Sequence, residues 1–154
     1  KPGPSGHISY LLSTEASDEA ARRLADFENQ HPTTVTQRTE PGAQAKGVED
    51  ILLDLTRNQA HQDSQHLAGA IQRQLKKHQP FENRGVKQAP FNVLKGAAMP
   101  ATVCEVGFIN HPQEGRFITS QEGMKRIAKG IASGILEFGN TILAQKKNES
   151  GEGP

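Results

Sequence analysis

The apolar residues fall into short runs and spaced stripes, separated by two nearly bare stretches, and this arrangement predicts alternating strands and helices. Ile8-Ser9-Tyr10-Leu11-Leu12 is a β-prone run that predicts a strand over 8–12. Ser17 or Asp18 can cap a helix that follows, with Glu19 in the first turn where the macrodipole favours negative charge, and the pattern fades by Asn29. Val48, Ile51, Leu52 and Leu55 recur at helical spacing and resume at Leu67, Ala68, Ile71 and Leu75. The polar stretch 56–66 between them either breaks this helix or exposes it on all sides. Short strands are expected over 91–94 and 101–106, joined by a Gly-Ala-Ala-Met-Pro loop. Thr119-Ser120-Gln121-Glu122 reads as a capping box, so a long helix should start at Ser120. Met124, Ile127, Ala128, Ile131, Ile135, Phe138 and Ile142 then form its core stripe. Strands separated by long helices predict an α/β fold with a helix-covered sheet.

The bare stretches set the limits of the domain. Between Asn29 and Gly47 only Val35 is large and aliphatic, among prolines, glycines and threonines, so 31–47 is expected to be a loop or insert. From Gln145 to Pro154 no large apolar residue occurs, and 145–154 reads as a disordered tail beyond a domain of 1–144. Leu, Ile, Val and Phe together number 32 of 154, a lean core for one domain, but the net charge of +1 argues against a disordered chain. No apolar run is long enough to cross a bilayer. Scattered basic residues, one Tyr and no Trp give no case for nucleic acid. The single cysteine, Cys104, excludes an internal disulfide and reads as a core thiol.

Glu105 interrupts the apolar run from Met99 to Asn110, and a carboxylate inside a buried strand must be paired, neutralised or used. Strand alternation puts Val103, Glu105 and Gly107 on one face and Cys104, Val106 and Phe108 on the other. The alternative to a working acid is a structural one, bonded to nearby backbone N–H groups or to an arginine.

Arg84-Gly85-Val86-Lys87-Gln88-Ala89-Pro90-Phe91-Asn92-Val93-Leu94, then Met99-Pro100-Ala101, then Glu105-Val106-Gly107-Phe108-Ile109-Asn110-His111-Pro112, closely resembles the C-terminal half of the zinc-dependent N-acetylmuramoyl-L-alanine amidases. The stretches 16–29 and 51–55 look like the Gram-negative, cell-division branch of that family. The resemblance implies a three-layer mixed sheet flanked by helices, of which this chain would be an incomplete domain. It implies a peptidoglycan hydrolase, periplasmic or secreted, that cuts the amide between N-acetylmuramic acid and L-alanine. Glu105 falls on the family's catalytic acid/base, and Arg84 and Gln88 on recurring positions that could hold the peptide stem or Glu105. Where the family usually has Asn before the proline, this chain has His111. In the cell-division branch an inserted helix blocks the zinc site until an activator protein displaces it; the corresponding stretch here is about 31–50, whose composition favours a loop.

The family binds zinc through a His, a Glu and a second His, and none of those motifs occurs in this sequence, which starts just downstream of the last of them. The six histidines, His7, His31, His61, His66, His78 and His111, offer no substitute. His61 and His66 are separated by roughly 140° on a helix, there is no His-Glu-x-x-His string, and all six read as solvated surface residues. No metal ligand is therefore assigned within the chain; zinc ligands are expected upstream, and the chain by itself is expected to be inactive. Three function classes follow: a peptidoglycan amidase, a non-catalytic wall-binding or regulatory fragment that lacks the ligands, and an unrelated interaction domain.

Overall fold

A computed structural model describes residues 4–30 and 48–149 of the chain. The expected loop at 31–47, and with it most of the stretch compared with the autoinhibitory insert, lies outside the described residues. The elements are β1 (His7–Leu12), α1 (Glu19–Asn29), α2 (Val48–His78), β2 (Asn83–Ala89), a single 3-10 turn (Asn92–Leu94), β3 (Val103–Glu105), α3 (Pro112–Ile118) and α4 (Gln121–Glu149). The strands form a mixed sheet in the order β2-β1-β3, with flanking helices. The His7 N–H donates to Glu82 O at 2.8 Å and the Ser13 N–H to Ala89 O at 3.2 Å. Both partners advance together, so β1 and β2 run parallel, with α1 and α2 in the crossover between them.

Two compact units divide the chain. One comprises Lys1–Ser9, His66–Val86 and Cys104–Pro154. Its core is Ile71, Leu75 and Ile127, with Leu67, Cys104, Val106, Phe117, Ile118 and Ile131 packed against it. The other comprises Tyr10–Gln65 and Lys87–Val103. There Tyr10 and Phe91 meet with ring centroids 5.1 Å apart. Asn29 in that unit donates to Pro90 O and accepts from the Asn92 N–H, both at 2.8 Å, which ties the end of α1 to the 3-10 turn.

Asp18 caps α1, accepting from the Ala21 N–H at 2.8 Å. Within that helix Glu19 accepts from Arg22 and Arg23, whose hydrogen bonds and charge hold its carboxyl down at about 2. α2 is continuous, so its polar middle does not break it; nor is that stretch exposed on all sides, since Ala60 and Ser64 are buried and Ser64 Oγ accepts from the Ala101 N–H at 2.9 Å.

Several expectations need correction. The strand expected over 91–94 is the 3-10 turn, with Phe91 and Leu94 buried. A four-residue apolar run cannot separate the two conformations, since a spacing of three also suits a 3-10 helix. The real strand lies earlier, at Asn83–Ala89, and is set by its backbone pairing to β1; its one large aliphatic residue, Val86, is exposed. The helix cap is Ser120, which accepts from the Gly123 N–H at 3.0 Å, whereas the Thr119 hydroxyl donates back to Gly115 O at 2.8 Å. Thr119 is occupied because it ends α3, an element the sequence pattern did not disclose.

The α4 stripe is also rotated. Met124, Ala128 and Ile135 are exposed, and the buried line is Gly123, Ile127, Gly130 and Gly134. A Cβ on Gly134 would lie 2.5 Å from Ile71 Cα, so glycine is what lets α4 approach α2. Finally, α4 continues to Glu149, where the composition suggested a tail from Gln145. Lys146 and Lys147 sit in its last turn, where positive charge complements the helix dipole. Among the described residues no helix is long and apolar enough to cross a membrane.

Candidate active site

Glu105 is the last residue of β3. Its neighbours Cys104 and Val106 turn into the Ile71-Leu75-Ile127 core, so alternation directs Glu105 to the opposite face. Burial pushes the Cys104 thiol up, a hydrogen bond to Ser9 opposes the rise, and the nearby Glu105 charge adds a little to it. Cys104 is thus a core thiol. Glu105 itself is half-buried, like the other residues of β3, rather than fully buried as its apolar neighbours suggested. The strand is three residues long and ends on it.

The fully buried carboxylate of this region is Glu114, which sequence reasoning passed over. Its Oε1 accepts from the Gly6 N–H at 2.7 Å and its Oε2 from the Phe108 N–H at 2.8 Å. Glu114 lies in the first turn of α3, entered through Pro112 and capped by His111, whose Nδ1 accepts from the Glu114 N–H at 3.4 Å. His111, the departure from the family pattern, therefore does the capping work that an Asn or Ser would do. Between Glu105 and Phe108 the chain passes Gly107 at φ 147°, where a Cβ would stand 2.9 Å from Glu114 Oε2. On the other side of the same loop, the Arg84 guanidinium from β2 lies 5.6 Å from the centroid of the Phe108 ring. A glutamate two residues past a proline at a helix start is a legible cue for an N-terminal cap. That this one reaches out of its helix to the N–H of Phe108 in the preceding loop and to that of the distant Gly6 is not.

His7, expected at the surface, is fully buried. Its Nδ1 is 2.6 Å from Gln72 Oε1, while Gln72 Nε2 donates to Ser9 Oγ at 2.9 Å. With the amide so oriented, His7 must donate from Nδ1, which leaves Nε2 as a bare lone pair without a partner among the described groups. Desolvation lowers its pKa below the usual 6.5, opposed by the Gln72 hydrogen bond and the Glu114 charge. Among the described residues no three His, Cys, Asp or Glu side chains group closely enough to hold a metal ion.

Gln88 belongs to the other unit, where its N–H donates to Ser17 Oγ and its carbonyl accepts from the Ser17 N–H, both at 2.8 Å. Its main chain is thereby fixed to the residue before the α1 cap. Arg84 is the one of the two candidate substrate contacts that the structure joins to the loop after Glu105.

A family model described as N-acetylmuramoyl-L-alanine amidase matches residues 5–137. The chain belongs to the N-acetylmuramoyl-L-alanine amidase family. It is 25% identical over 145 residues to the N-acetylmuramoyl-L-alanine amidase AmiC of Neisseria meningitidis serogroup B, covering 94% of this chain and 34% of that protein. With AmiA of Escherichia coli K12 it shares 26% identity over 146 residues, covering 94% of this chain and 50% of the relative. Among solved structures, an N-acetylmuramoyl-L-alanine amidase from Clostridium difficile 630 aligns at TM-score 0.54 and 18% identity, over 91% of this chain and 51% of that one. The amidase AmiC2 of Nostoc punctiforme aligns at TM-score 0.50 and 17% identity, over 87% and 48%. These two likenesses establish the amidase fold. The chain spans half or less of the length of these curated relatives.

Proposed function

We propose that this amidase-family chain is part of a peptidoglycan hydrolase that cleaves the amide between N-acetylmuramic acid and L-alanine of the stem peptide, with Glu105 as general acid and base. The observation that carries the reading is the placement of Glu105: a half-buried glutamate at the very end of a strand, opposite the core-facing Cys104 and Val106, in a chain of this family. Such a group is held by a strand and is not fully buried. It can take a proton from an attacking water and return it to the departing amine.

The described residues do not fit a zinc site, since none of them groups three possible ligands. A zinc ion belonging to this activity would take its ligands from outside them. Arg84, stacked near Phe108, presents a planar fork suited to a carboxylate of the stem peptide. Gln88 is proposed as a second substrate contact on the family likeness alone. Periplasmic or secreted location, and release by an activator protein, belong to the same proposal.

A second reading, a wall-binding or regulatory protein without catalysis, is favoured by the absence of a ligand trio among the described residues. One experiment separates the two. In the full-length protein, Glu105→Gln should lower release of stem peptide from purified peptidoglycan by about 10²–10⁴-fold while leaving bound zinc unchanged. Undiminished cleavage by that variant refutes the role of Glu105. A full-length protein that neither binds zinc nor releases peptide establishes the non-catalytic reading.

A further inference from the structure

We infer that Glu114 is a positioning residue for Glu105, acting through the backbone of the loop that follows β3; this rests on the reading of Glu105 as the proton-transferring group. The strand ladder that fixes Glu105 stops at Glu105 itself. Beyond it the chain must be held by other means, and the geometry supplies three. Val106 packs into the core, Gly107 turns the chain at φ 147°, and the Phe108 N–H is captured by Glu114 Oε2 at 2.8 Å. The second oxygen of the same carboxylate holds the Gly6 N–H at 2.7 Å, immediately before β1 begins. One buried side chain thus fixes the exit of β3 against the entry of β1.

Both bonds are charge-assisted and closed to water, so they are strong for hydrogen bonds. No neutral side chain of the same shape replaces them, because the amide of glutamine offers one accepting oxygen and turns a donor toward the remaining N–H. The fit is equally tight from the loop side. A Cβ at Gly107 would stand 2.9 Å from both Glu114 Oε2 and Ile118 Cδ1. Displacing this loop shifts Glu105, and a misplacement of about 1 Å in a reacting group costs on the order of 10²-fold in rate. Glu114 meets no substrate itself, since it is fully buried.

The test is kinetic, on the full-length protein with a soluble muropeptide. Glu114→Gln should lower kcat by about 10- to 100-fold with KM changed less than about twofold. Introduced beside Glu105→Gln, it should remove no further activity, because a residue that works only through Glu105 has nothing left to position. A merely structural residue would lower the folded fraction and so reduce the rate by the same factor in both backgrounds. Gly107→Ala serves where Glu114→Gln does not fold; it keeps the carboxylate, presses on its Oε2, and should give the same kcat loss and the same non-additivity. Full kcat in Glu114→Gln, or an equal loss in both backgrounds, overturns the inference. The catalytic reading fails separately, by an active Glu105→Gln, whereas an inactive Glu105→Gln alongside a fully active Glu114→Gln sinks only the positioning role.

Discussion

Alanine placed along one helix should change stability in opposite directions, and the spacing of α4 against α2 decides the sign at each site. At Gly134 an added Cβ would stand 2.5 Å from Ile71 Cα and 2.8 Å from Ile71 N. These are backbone atoms and cannot swing aside, and ordinary contact starts at 3.4 Å, so the helices must part by about 0.9 Å. A gap of that size forfeits about a quarter to a half of the dispersion attraction of the atoms lining it. Here those atoms belong to Ile71, Leu75 and Ile127. Overpacking of this kind costs about 1–3 kcal/mol, and alanine's better helix propensity returns at most about 1 kcal/mol. Gly134→Ala should therefore be net destabilising by about 1–2 kcal/mol. Gly130→Ala should cost less, because its nearest clash, at 3.0 Å, is with Leu75 Cδ2, the end of a flexible side chain. At Gly139 nothing lies within 4 Å, and Gly139→Ala should stabilise the protein by about 0.5–1 kcal/mol. Urea melts of the three variants followed by circular dichroism give the order directly. A Gly134→Ala protein as stable as Gly139→Ala would refute the close approach of the two helices.

Two further outcomes follow from the capping and from the buried histidine. Ser120→Ala should cost about 1 kcal/mol in the same melts and Thr119→Ala clearly less, since the Ser120 hydroxyl holds the first turn of α4; the reverse order would return the cap to Thr119. Because burial lowers the His7 pKa below 6.5, the unfolded chain binds the proton more tightly, and stability should fall as the pH drops below 6.5. His7→Ala should flatten that part of the profile, and an unchanged slope between pH 7.5 and about 5.5 would place the acid sensitivity elsewhere.

The elements legible in the sequence were those whose side chains carry their own signal. β1 is a run of buried residues, α1 has an Asp cap and an acidic first turn, and the second half of α2 shows regular apolar spacing. The elements missed are held by groups that a hydrophobic pattern cannot register. β2 is defined by main-chain pairing to β1, and the seam of α4 is lined by glycines, which count as blanks in an apolar stripe. At the candidate site, motif and alternation picked out Glu105 and set Cys104 on the core side. The expectation of deep burial failed along the whole of β3, whose three residues are all only half-buried. Glu114 was hidden for another reason: its partners Gly6 and Phe108 are backbone donors, one of them more than a hundred positions away in the sequence. His7 looked like a surface residue until Gln72, on a different element, supplied its hydrogen bond.

The place of β1 between its two neighbours also bears on how the chain acquires its structure. Among the described strands β1 lies in the middle of the sheet, and both of its partners are encoded after α2. At about 5–20 residues per second, the greasy segment around Ile8 and Leu11 waits several seconds for either mate. During that interval it is exposed to misassociation, and the long-range pairings that finally shelter it make for slow maturation. A chaperone that holds the nascent β1 segment would therefore be expected to raise the yield of native protein more than one acting on α3, whose contacts with α4 are local.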